Sequence, residues 1–151
     1  MSSSNAGESA MINTKIYKSI YSLAEELLDA DRRGDQAAFD AHYAVLQTIC
    51  TANEDTDKDH PEQWETLADF TESREDALAL YEKALSKAVA INAKDHMASI
   101  AFSMAMLQLE LGQNEAAIVN LQNAKASANK SDDKVLKAEI EEQLAQQLAA
   151  R

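Results

Sequence analysis

The chain is short of everything that breaks, crosslinks or catalyses. Of its 151 residues, 3 are glycine, 1 is proline and 1 is cysteine. So few breakers leave long stretches free to stay helical. A lone cysteine, Cys50, excludes an intrachain disulfide and a cysteine-based metal site. Three histidines scattered along the chain, with no Gly-rich phosphate loop and no nucleophile elbow, argue against an enzyme. No cofactor is implied. The longest apolar stretch, 97–111, is interrupted by Ser99, Ser103, Gln108 and Glu110, so no membrane span is expected. Residues 1–11 are rich in Ser, Asn and Gly and lack a basic or apolar signal-peptide segment. They read as a disordered tail, and the protein as soluble and cytoplasmic. Positive charge is scarce as well. Fourteen Lys and Arg face 26 Asp and Glu, a formal net charge of -12. Such a chain repels nucleic acid and anionic membranes and favours a basic or apolar partner, unless the charge serves only solubility.

What is present is apolar periodicity. Residues 12–151 read as one domain of seven helices. Ile12, Ile16, Ile20, Leu23, Leu27 and Ala30 recur at helical spacing until Gly34, and Tyr17, Tyr21, Ala24 and Leu28 widen the stripe. A second helix, 36–51, has Ala38, Phe39, His42, Val45, Leu46 and Ile49 on its buried side. Flanked by Ala38 and Leu46, His42 is a structural histidine rather than a metal ligand. Residues 53–60 alternate Asp55, Asp57 and Asp59 as a calcium loop does. His60 stands where the turn needs glycine and Thr66 where a bidentate Glu belongs, so the stretch reads as a solvated linker.

Pro61 suits the first turn of a third helix, 61–72, with Asp59 or His60 as its cap. Trp64, Leu67 and Ala68 face one way on it; Glu62, Glu65, Asp69 and Glu72 face another. A fourth helix, 74–91, turns Ala77, Leu78, Tyr81, Ala84, Leu85, Ala88 and Val89 inward, with Ser73 as its start signal. The fifth, 95–111, is apolar nearly all round and must be covered on several faces. Gly112 separates it from a sixth, 114–128. A last helix, capped by Ser131, carries Val135, Leu136, Ile140, Leu144 and Leu148 on one face.

The even-numbered helices repeat. Ala38-Phe39, Ala77-Leu78 and Ala117-Ile118 open them at a period of about 40 residues, followed four positions on by His42, Tyr81 and Leu121. Trp64-x2-Leu67-Ala68-x2-Thr71, then Ala77-x3-Tyr81-x2-Ala84-Leu85, follows the two halves of one motif. Ala101-x2-Met104-Ala105-x2-Gln108, Gly112 and Ala117-x3-Leu121-x2-Ala124 follow it again; Gly34 and Ala38 are all that fits in the first unit. These residues resemble the tetratricopeptide repeat family. The period is longer than that family's, and its closing proline is missing from every unit.

The resemblance implies an all-α fold: stacked antiparallel helical hairpins, three units and a C-terminal capping helix, wound into a right-handed superhelical array. A generic helical bundle is the competing architecture. The resemblance also implies a non-enzymatic module that holds a partner's peptide or helix in a concave groove lined by the odd-numbered helices. On this chain the lining is Ser99, Phe102, Met106 and Leu109 in the third unit and Glu62, Glu65, Asp69 and Glu72 in the second. Tyr21, Ala24 and Leu28 belong to it in the first. The expected partner is basic and amphipathic. Three other readings stay open: a solvated acidic face with a core apolar stripe, a homodimer contact, and a specialised secretion chaperone of the acidic three-repeat class.

Overall fold

A computed structural model describes residues 13–151; the expected tail at 1–11 and Ile12 lie outside that range. The described residues are all helical apart from turns, with no strand among them. Seven helices follow in order: α1 Thr14–Arg33, α2 Gln36–Ala52, α3 Pro61–Asp69, α4 Arg74–Ala90, α5 Lys94–Glu110, α6 Asn114–Ala128 and α7 Lys134–Ala149.

The ends of these helices follow local chemistry. The Asn13 side chain accepts from the Lys15 and Ile16 amides, and Gly34, at φ 70°, lets the chain turn out of α1. Asp35 caps α2 through the Ala38 amide at 3.0 Å. His60 caps α3, its Nδ1 accepting from the Glu62 amide at 3.1 Å, and Pro61 takes the first helical position. Ser73 caps α4 through the Asp76 amide. Gly112, at φ 77°, makes the turn between α5 and α6.

Two boundaries differ from the sequence reading. α3 stops at Asp69 instead of running to 72, because Thr71 turns back on it. The Thr71 hydroxyl donates to the Leu67 carbonyl at 2.7 Å and its amide to the Ala68 carbonyl, satisfying carbonyls that end the helix. Asp133, not Ser131, caps α7, accepting from the Leu136 amide at 3.0 Å. Ser131 serves one step earlier and accepts from the Asp133 amide.

Each helix packs on the next in sequence, and the odd-numbered ones also meet, α1 with α3 and α3 with α5. The main core runs from α1 to α5 through Leu27, Leu46, Trp64, Leu67, Ala84 and Ile100. α5 accounts for its all-round apolar surface by serving three walls. Ile100 and Met104 join the main core, Ala98 and Ala101 meet Ile140 of α7, and Ala105 meets Leu121 and Leu144. Ala77 and Ala117 are buried, as their recurrence predicts. Cys50 is a buried small residue whose thiol donates to the Gln63 carbonyl; burial pushes that thiol up to about 12.

Seven residues assigned to apolar stripes are exposed: Tyr17, Tyr21, Leu28, Val45, Val89, Val135 and Leu148. Each stands at the margin of its stripe, and the neighbouring helix covers a narrower band than the spacing allows. The 53–60 loop is also less solvated than its charges suggest. Asp59 is only 10% exposed and accepts from Lys87 Nζ at 2.6 Å and from the Trp64 indole at 2.7 Å. Lys83 Nζ lies 4.2 Å from the Trp64 ring centre and pairs with Glu54. Burial alone would raise the Asp59 carboxyl; the hydrogen bonds from Lys87, the Asp55 amide and Trp64 outweigh it and hold the group below its ordinary value.

Candidate functional site: an acidic groove across three helices

The carboxylates of α3 face a cleft of about 510 Å³ whose walls are α3, α5 and the first turns of α7. Glu62, Glu65 and Asp69 come from α3, and Asp95, His96 and Ser99 from α5. Asp133, Val135, Leu136 and Glu139 close the third side. No Lys or Arg lines it. Glu62 and Asp95 sit in first helical turns, where a negative charge offsets the helix dipole. Glu65, Asp69 and Glu139 lie further into their helices, beyond the reach of that stabilisation.

Inside the groove the polar groups interlock. Ser99 Oγ donates to Glu65 Oε2 at 2.7 Å, and His96 Nδ1 lies 3.4 Å from Glu65 Oε1. His96 Nε2 lies 3.9 Å from Glu62. The hydrogen bond to Glu65 is the main reason the His96 imidazolium is favoured and its pKa raised. Burial raises the Glu62 carboxyl, with His96 opposing. Asp69 is exposed as a residue, yet its carboxyl turns to the groove wall and accepts the Tyr81 hydroxyl. Burial of the carboxyl, opposed by the Tyr81 hydrogen bond and reinforced by Glu65, pushes it up to about 6.

A second cleft of about 280 Å³ continues from Asp69 between α3, α4 and α5. Phe102, Met106 and Leu107 form its apolar wall, Tyr81 its floor, and the Arg74–Glu110 pair at 2.8 Å its far rim. Asp69 belongs to both clefts, so an acidic stretch runs into an apolar one.

The structure thus brings together Glu62, Glu65, Asp69 and Ser99 in the first cleft, and Asp69, Phe102 and Met106 in the second. It places the other two expected residues elsewhere. Glu72 lies past the end of α3 beside Leu28 and Phe39, in a third cleft towards α1 that Asp69 also borders. Leu109 packs on the core formed by α5, α6 and α7. Phe102 has a double role, since its ring also packs against both α7-side cores. Of the first-helix residues, Tyr21 and Leu28 are exposed, and Leu28 borders the cleft that holds Glu72.

His96 and the α7 residues were not singled out from sequence. His96 meets a carboxylate 31 positions away, and its ring stands edge-on to His60 at 5.2 Å. Two of the three histidines are therefore neighbours, which their spacing along the chain conceals. Among the described residues no group of three or more His, Cys, Asp or Glu is placed to hold a metal ion. No described helix is long and apolar enough to cross a membrane. The serine, histidine and carboxylate do not form a nucleophilic relay. Glu65 stands between Ser99 and His96, so the serine donates to the carboxylate and not to the imidazole, which is not the order of a serine–histidine–carboxylate triad. Comparison with known proteins finds no matching family model, no similar curated protein and no similar solved structure.

Proposed function

We propose that the chain is a non-enzymatic interaction module, built of tetratricopeptide-like hairpins in a right-handed array, that holds a basic amphipathic peptide or helix of a partner protein. The observation that carries this reading is the excess negative charge of the groove. Six carboxylates line it, His96 is its one basic side chain, and it leads at Asp69 to Phe102 and Met106. His96, Ser99 and Tyr81 answer part of that charge, and the remainder favours a cationic ligand. A partner with Lys or Arg beside Leu or Phe would answer the carboxylates and cover Val135, Leu136 and Met106 together. The apolar contacts would supply most of the affinity, and the charges the association rate and salt sensitivity.

The test is calorimetric titration with a synthetic helix carrying Lys on one face and Leu on the other, against a neutral helix of the same apolar face. Asp133→Lys with Glu139→Lys should weaken binding and flatten its salt dependence. Met106→Asp should remove most of the affinity. It is a sounder choice than Phe102, which also supports the core. Equal binding by the parent and both folded variants would refute the groove as the interface.

A further inference from the structure

One apolar surface lies outside this groove. On α1, Tyr17 is 41% exposed, Tyr21 51% and Leu28 56%. With Ala24 they are spaced four, three and four residues apart, the seam of a two-helix coiled coil. This stripe is separate from α1's own core stripe of Ile20, Leu23, Leu27 and Ala30, which faces the rest of the chain. The rings of Tyr17 and Tyr21 lie nearly parallel, 6.4 Å apart and at 10° to one another.

The charges beside the seam are arranged with opposite sign at its two ends. Lys15 and Lys18 flank the first half with no acidic residue among 14–24; Glu25 and Glu26 begin the second. Within the chain α1 pairs Asp29 with Arg32 and Arg33, and Glu26 approaches His42. Lys18 and Glu25 enter no ion pair found among the described residues. They stand seven apart, at equivalent places on one side of the seam.

We propose that α1 is a self-association surface whose occupant is α1 of a second copy, packed antiparallel about a two-fold axis. That pairing sets Tyr17 against the partner's Leu28 and Tyr21 against the partner's Ala24. It also brings Lys18 towards the partner's Glu25, and by symmetry Glu25 towards the partner's Lys18. A parallel pairing would put Lys18 and Glu25 on the opposite side of the seam from their copies, where they meet no partner charge. Only the antiparallel orientation pairs these two charges.

Sedimentation equilibrium of the full chain, from about 1 to about 300 µM, reads the result as mass. The parent should reach twice the monomer mass in this range. Tyr21→Glu should stay monomeric while its circular dichroism melt matches the parent, because the residue is exposed. Lys18→Glu and Glu25→Lys should each raise the dimer dissociation constant about tenfold or more, since each change enters the symmetric contact twice. The double variant should restore it. A monomeric parent, which would leave the stripe to residues 1–12 or to a foreign partner, overturns the proposal. So does a Tyr21→Glu dimer, or a double variant no tighter than either single one.

Discussion

The hairpin of α3 and α4 and the hairpin of α5 and α6 share one plan and are held together by different means. In the second, small residues let the helices approach: Ala101, Ala105, Ala117 and Ala124 are buried, and the main side-chain hydrogen bond between the two helices is Asn120 to Gln108 at 2.8 Å. In the first, α3 has only nine residues and a carboxylate face, and polar groups from outside it hold it. Lys87 and Trp64 meet at Asp59, Tyr81 donates to Asp69, and Ser99 and His96 meet at Glu65. This short helix buries Trp64, Leu67 and Ala68 on one side, and directional contacts add to that area on the other. The contacts at Glu65 and Asp69 lie on the side of α3 that faces the groove.

This contrast can be broken at its strongest point first. Trp64 is 2% exposed and joins the α3 core to the Asp59 network. Trp64→Ala should destabilise the protein by about 3–5 kcal/mol in chemical denaturation. A loss near 1 kcal/mol would mean that α3 is held by its polar contacts alone. Next, Ala117→Leu and Ala77→Leu should each overpack a close helix crossing and cost about 1–3 kcal/mol. If Ala77→Leu is tolerated and Ala117→Leu is not, the first hairpin is looser as well as more polar, which sharpens the comparison.

The smallest effect is in pH, and it should be confined to α3 and the start of α5, where His96 meets Glu65. The folded protein raises His96, Glu62 and Asp69, so it binds protons more tightly there than the unfolded chain does. For His96 the stabilisation is complete below its ordinary value of 6.5 and is lost as pH rises through the raised value. Asp69 acts in the same sense between 3.8 and about 6, and Glu62 upward from 4.5. Asp59, which is lowered, acts oppositely but only as pH falls below its ordinary 3.8. From pH 5.5 to 8 the protein should therefore lose stability, by a modest amount given solvent screening at the groove. Amide hydrogen exchange, corrected for intrinsic rates, should locate the loss in α3 and the start of α5 and leave α6 unchanged. His96→Gln should remove most of the dependence between pH 6.5 and 8; an unchanged pH profile would remove His96 from the account.

Much of this fold is written in local signals. Gly34, Gly112, Pro61, Asp35 and Ser73 mark helix ends through their own backbone preferences, so those ends can be read without a partner in view. The all-helical class follows from the same periodicity. Stripe margins are harder, because whether Val45 or Val89 is covered depends on the width of the neighbouring helix, which is not a local property. The groove was legible in part. Glu62, Glu65 and Asp69 share a face at helical spacing, but Glu72 does not, since Thr71 ends the helix first. His96, Asp133, Val135 and Glu139 were not legible at all. They join the groove only when α5 and α7 fold alongside α3, and nothing in the spacing of α7 distinguishes its groove-facing turn from a solvated one.

The central claim is that the groove walled by α3, α5 and α7 is where a basic amphipathic partner sits. Chemical-shift mapping of the labelled full chain, titrated with the Lys/Leu helix at low and at high salt, tests it most directly. Saturable shifts should concentrate at Glu65, His96, Ser99, Met106, Val135 and Leu136, and should weaken with salt. Shifts confined to α1, shifts scattered over all acidic surfaces, or none at all would contradict it.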